Sequence, residues 1–145
     1  MDATQPTPNF PVKGRKRILA GNAFLLALLF GLVSFNKSVL RPAFHGRPFL
    51  DTLTGCFPNF LAALLISLAF VNAIVNRNPR HGRLLAYLGS TIVFVILTIE
   101  ELKPMWGAST YYDLYDIVAS AVGSLLAIGI FEWISRRQKI VTDSN

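Results

Sequence analysis

The apolar residues of this chain are gathered into four blocks, running from Ile18 to Phe35, Phe57 to Val75, Leu84 to Leu102 and Asp113 to Trp133. Each block is close to the length of about 20 residues that a helix needs to cross a hydrocarbon core, and short basic or aromatic segments separate them. Only 15% of the 145 residues are charged, against about 25% in an ordinary soluble domain. The blocks therefore predict an all-α membrane protein, a four-transmembrane-helix bundle, rather than one water-soluble core. The expected spans are 18–36, 57–76, 83–103 and 113–134, within a membrane domain over 18–134.

The flanks fit that layout. Residues 1–17 form a Pro-rich, basic tail with little to bury, and disorder is expected there. A basic cluster ahead of an apolar run also describes a signal peptide. The first run, however, exceeds the usual 7–15 residues or so, and Asn36-Lys37-Ser38-Val39 offers no small-x-small cleavage site. An uncleaved first span is expected. Pro58 is placed in the opening turn of the second helix, where its missing N–H has no intrahelical partner to lose. The stretch from Asn36 to Cys56 reads as a loop of mixed character, partly at the bilayer interface. Residues 135–145 read as a polar tail.

Cations set the orientation. Lys13, Arg15, Lys16, Arg17, Arg77, Arg80, Arg83, Arg136, Arg137 and Lys139 fall at one end of the expected bundle, and only Lys37, Arg41, Arg47 and Lys103 at the other. Lys and Arg are enriched in cytoplasmic loops, so both termini are expected in the cytoplasm. The same clustering accounts for the formal charge of +6 without nucleic acid as a partner. A single cysteine, Cys56, excludes an internal disulfide, and neither histidine (His45, His81) lies in an apolar block. No cofactor and no metal site are suggested.

The acids carry more information. Glu100, Glu101, Asp113 and Asp116 surround the third connection. Charges at a span centre cost about 2.5–3.5 kcal/mol on insertion scales, and less at the boundary. Asp113 and Asp116, three apart, share a helical face with Ser120, Gly123, Ala127 and Ile130. Ala119-x-x-x-Gly123-x-x-x-Ala127 and Ser120-x-x-x-Ser124 add small-residue patterns that let helices approach closely in lipid. Ala119, Gly123, Ser124 and Ala127 are thus the expected packing residues, and Glu100, Asp113, Asp116 and Ser120 the candidate functional ones. Arg41 and Arg47 are candidate ion-pair partners of Asp116 from the first outer segment. The plain alternative is that Asp113 is an N-cap, since acids also favour the positive end of a helix. Glu100 and Glu101 point about 100° apart, so at most one is expected to face the bundle; the other is expected to snorkel or, for Glu101, to pair with Lys103 or Arg41. Glu132 and Arg136, four apart, are expected to pair at the inner end, and Asn22, Asn59, Ser67, Asn72 and Thr98, the polar residues within the spans, to bond between helices.

The stretch Ile99-Glu100-Glu101-Leu102-Lys103, an aromatic turn, and then Tyr112-Asp113-Leu114-Tyr115-Asp116-Ile117-Val118-Ala119-Ser120-Ala121-Val122-Gly123 resembles the VanZ-like family. That family's pattern is Glu-x-x-Gln ending one helix, then a turn with Arg, then Phe-Asp-x-x-Asp-x-x-x-Asn-x-x-Gly opening the last. Glu100, Asp113, Asp116 and Gly123 match in register; Phe57-Pro58-Asn59-Phe60 resembles a variant found ahead of the family's second helix. Lys103, Thr110 and Ser120 depart from the Gln, Arg and Asn. The resemblance implies a multi-pass protein of the bacterial cytoplasmic membrane, acting at the outer leaflet and lowering susceptibility to glycopeptide antibiotics such as teicoplanin. It also implies that Glu100, rather than Glu101, faces the bundle, and it leaves the biochemical mechanism open.

Three functions are weighed. The first is a non-enzymatic protein whose acids engage a cationic group of a lipid, envelope precursor, antibiotic or partner. The second is an enzyme on a lipid-linked envelope substrate, disfavoured because no nucleophile motif or intramembrane histidine is present. The third is a small transporter, which with so few polar residues in its spans would need to form a homo-oligomer.

Overall fold

The computed structural model describes residues 12–77, 79–102 and 113–143. The expectations for residues 1–11 and for the aromatic turn over 103–112, including Lys103 and Thr110, lie outside these. All the described elements are helical: α1 (Val12–Phe35), a π-helical turn (Asn36–Leu40), α2 (Arg41–Phe44), α3 (Pro48–Arg77), α4 (Gly82–Leu102) and α5 (Leu114–Asp143). Four helical stretches are long and apolar enough to cross a membrane: Arg15–Phe44, Pro48–Arg77, Gly82–Leu102 and Leu114–Arg137. The chain thus has the build of a multi-pass membrane protein.

Several boundaries differ from the sequence reading. Helix α1 begins at Val12, ahead of the basic cluster, and α5 continues past Trp133 to Asp143. Lys and Arg are good helix formers, so a solvated basic flank extends a span readily. The larger correction concerns 36–56. This segment is helical except for a turn at His45–Arg47, where Gly46 takes a left-handed φ of 87°. Helix α3 starts at Pro48, which places Pro58 in its interior rather than in its first turn.

An interior proline removes one i→i−4 bond and crowds the carbonyl it would have met. For Pro58 that carbonyl belongs to Thr54. The side-chain Nδ2 of Asn36 donates to it at 2.9 Å. Arg41 donates through Nη2 to the next carbonyl, Gly55, at 3.1 Å. The π turn brings these side chains round: the Arg41 N–H bonds five residues back to the Asn36 carbonyl, and Asn36 is wholly buried. Interior prolines are tolerated in spans when neighbours satisfy the backbone in this way.

Packing follows the small residues. Helices α3 and α5 run parallel. A Cβ on Gly123 would lie 2.5 Å from the Phe60 carbonyl and 3.0 Å from the Ala63 Cβ. Further down, Val71, Ala86 and Phe131 form a buried cluster from α3, α4 and α5. Helix α4 runs antiparallel to α3, with Gly89 against Phe70 and Gly82 against Ile74. One third of the apolar stretch of α5 is buried and none of that of α1, so α5 is central and α1 peripheral. Helix α1 is held to α3 by amides. Asn72 Nδ2 donates to Asn22 Oδ1 at 2.8 Å, Asn76 Nδ2 donates to Asn72 Oδ1 at 2.9 Å, and Gly21 lets Asn72 approach.

At the basic end, Glu132 does not take Arg136 as its partner. Arg83 Nη2 reaches it at 3.4 Å and the Tyr87 hydroxyl donates to it at 2.8 Å. Arg83 and Tyr87 are four apart on α4, so both reach the face that α5 presents. Arg137 instead stacks over the Trp133 ring at 4.5 Å.

Candidate functional site at the acidic end

The end of α4 and the start of α5 bring acids together through the backbone of α5. Asp113 is the N-cap: its Oδ1 accepts the Tyr115 N–H at 2.9 Å, one of the donors that a helix start leaves without an intrahelical partner. The Asp113 N–H donates to Glu101 Oε1 at 2.8 Å. Glu101, and not Glu100, is therefore the glutamate joined to the start of α5. Glu100 is half-buried and makes no side-chain hydrogen bond among the described residues. The α-helical turn separating the two side chains swings Glu101 toward α5.

Asp116, one turn in from the cap, is half-buried, and its Oδ1 is buried without a hydrogen-bond partner among the described residues. The side chain of Asn59 on α3 lies beside its carboxyl, and the charges of Glu101, Asp113 and Arg41 act on it. The expected ion pair of Asp116 with Arg41 or Arg47 does not form: no described cation lies within 4.0 Å of this carboxylate, and Arg41 bonds to Gly55. Arg41 is turned to the α3 backbone ahead of Pro58 because the Gly55 carbonyl lies within its reach. Arg47 is exposed in the turn before α3.

Below the acids, Ala119, Ser120, Gly123, Ser124 and Ala127 are all buried. Gly123 meets Phe60 and Leu64 of α3, and the Ser124 hydroxyl has no partner among the described residues. Ser120 thus sits in the helix interface beneath Asp116 rather than on an open surface.

The open feature at this end is a cleft of about 610 Å³ between α2, the first turns of α3 and the start of α5. Arg41, His45, Asp51 and Asp113 bring charge to it, with Thr52 and Tyr115. His45 Nδ1 and Asp51 Oδ2 stand 3.9 Å apart, both exposed. Among the described residues no group of three His, Cys, Asp or Glu is arranged to hold a metal ion.

Two roles were not legible in the sequence: that of Asn36, and that of Glu101 at the start of α5. Pro58 was the available signal for Asn36, because an interior proline demands a donor for the carbonyl four residues back. No family model, curated protein or solved structure matches the chain.

Proposed function

We propose that this chain is a non-enzymatic, multi-pass protein of the bacterial cytoplasmic membrane, similar in kind to the VanZ-like proteins, with its acid-rich end outward. There it engages a cationic group of an envelope lipid, precursor or antibiotic and lowers susceptibility to glycopeptides. The observation that supports this reading is the gathering of Glu101, Asp113 and Asp116 from α4 and α5 beside one cleft. The opposite end carries Arg77, Arg80, Arg83, Arg136 and Arg137, as a cytoplasmic face does. A carboxylate with a buried oxygen that has no partner among the described residues, as in Asp116, is a poor structural element and a good receptor for a donor.

The test is glycopeptide susceptibility in a bacterial host with and without expression, together with an Asp116→Asn variant brought to the same membrane level. Expression should raise the inhibitory concentration several-fold, and Asp116→Asn should abolish the rise while leaving insertion unchanged. An undiminished effect in the variant would reduce the acids to helix-terminus groups.

A further inference from the structure

We propose that the cleft at the acidic end is a binding site for a zwitterionic phospho-amine headgroup, with its phosphate on Arg41 and its primary ammonium on Asp113. The proposal rests on the reading of this end as a ligand-engaging surface and names the ligand's chemistry.

Arg41 and Asp113 line the same cleft, yet they form no ion pair. Among the described residues each side chain is anchored by one bond and keeps further capacity. Arg41 uses Nη2 on the Gly55 carbonyl, and a guanidinium has five N–H donors. Asp113 uses Oδ1 on the Tyr115 N–H, and a carboxylate accepts through two oxygens. Two opposite charges held apart across one cleft leave a place for a ligand that carries both. A purely anionic group would meet Asp51 and Asp113, with Asp116 and Glu101 behind them; a purely cationic one would meet Arg41. His45, when protonated, adds a second cation for the phosphate.

The depth of the cleft points to a lipid headgroup. Gly89 packs on Phe70 in antiparallel helices, so the same rise along both brings Leu102, the end of α4, level with about Phe57. At about 1.5 Å per residue, α4 spans roughly the 30 Å of the hydrocarbon core. The turns of α3 from Pro48 to Cys56 therefore stand beyond that core, in the headgroup layer. Phe49, Leu53 and Leu114 beside the cleft are half exposed or more and offer apolar surface to acyl chains. The volume lies within the range of about 300–1,000 Å³ usual for small-molecule sites. A primary ammonium is favoured over a quaternary one because it donates hydrogen bonds to carboxylate.

The experiment measures lipid binding to the purified full chain in detergent by native mass spectrometry. It compares phosphatidylethanolamine, phosphatidylglycerol and phosphatidylcholine of identical acyl chains. Phosphatidylethanolamine should bind about ten-fold more tightly than either of the others. Asp113→Asn keeps a capping side chain and should bring phosphatidylethanolamine to within about two-fold of phosphatidylcholine. Arg41→Gln should weaken phosphatidylethanolamine and phosphatidylglycerol alike. Equal binding of the three lipids to the native chain, or an unchanged preference in Asp113→Asn, overturns the proposal. Soluble O-phosphoethanolamine serves as competitor: displacement at concentrations matching the lipid supports the site and identifies a free phospho-amine as sufficient, and failure to displace with the lipid preference intact supports the site and assigns the lipid. Absent lipid discrimination alongside an Asp116-dependent susceptibility effect defeats the headgroup site alone. The reverse result defeats only the resistance reading.

Discussion

The side-chain amide of Asn36 donates at 2.9 Å to the carbonyl of Thr54, the group that Pro58 leaves without its helical N–H. The two residues belong to successive membrane-spanning helices, so one hydrogen bond repairs a helix and ties it to its neighbour. A buried acceptor that loses its partner costs about 1–3 kcal/mol. Asn36→Ala should therefore destabilise the protein by about that amount in thermal unfolding in detergent. Pro58→Ala restores the N–H, and in that background Asn36→Ala should cost clearly less. Equal costs in the two backgrounds would mean that Asn36 does not serve the carbonyl freed by Pro58.

The glycines separate by what surrounds them. A Cβ on Gly123 meets the Phe60 carbonyl at 2.5 Å, whereas Gly31 and Gly129 have nothing within 4 Å. Gly123→Ala must push α5 away from α3, and overpacking of this kind costs typically about 1–3 kcal/mol. Gly129→Ala fills open space and should be neutral or stabilising by up to about 1 kcal/mol through helix propensity. Comparing the melting temperatures of the two variants checks this directly; a Gly123→Ala protein as stable as Gly129→Ala would show that the helices do not approach so closely.

The start of α5 predicts an asymmetry among conservative changes. Asp113→Ala removes the cap on the Tyr115 N–H and should cost about 1 kcal/mol, whereas Asp113→Asn should cost a few tenths at most. Glu101→Gln keeps an oxygen for the Asp113 N–H and should also be mild, and Glu101→Ala should be worse than Glu100→Ala. Hydrogen exchange at the Tyr115 and Asp113 amides reads both effects locally. Faster exchange in Glu100→Ala than in Glu101→Ala would reverse the assignment of the two glutamates.

At the opposite end, Asn72 bonds to Asn22 and to the Ile18 carbonyl while accepting from Asn76. Interhelical hydrogen bonds in membranes average about 0.6 kcal/mol. Asn72→Leu removes several at once and crowds Gly21, so it should cost more than Asn22→Leu. Crosslinking between cysteines introduced on exposed positions of α1 and α3 would report separation of α1; an intact crosslinking yield in Asn72→Leu would assign the hold on α1 to other contacts.

The spans were legible because hydropathy in blocks of this length has few other physical outcomes. The inward seam of α5 could be traced from Ser120, Gly123 and Ala127 because small residues recurring at helical spacing leave their backbone open to a neighbour. The segment 36–56 was not legible as helix. Its prolines, Gly46 and mixed polarity read as loop chemistry, and the compensation that makes helix tolerable there comes from Asn36 and Arg41, which meet α3 only after folding. The choice between Glu100 and Glu101 was hidden for a related reason: adjacent helical positions differ only in direction, and the direction of α4 is fixed by where Gly89 seats against Phe70. The failure of Arg41 to pair with Asp116 likewise depended on the carbonyl of Gly55 lying within reach, and a one-dimensional pattern of charges contains no backbone carbonyls.

The buried amide of Asn36 also gives the chain an order of assembly. When α1 enters the bilayer ahead of the rest, the π turn that follows it carries an amide without its protein partner, and α3 entering alone carries a bare carbonyl at Thr54. Both groups lie at the headgroup boundary, where water serves each until the other arrives. Pairing of the first two spans therefore dries this spot: a ribosome stalled before Pro58 has emerged should leave a cysteine placed beside Asn36 open to water-borne thiol reagents, and completion of α3 should close it.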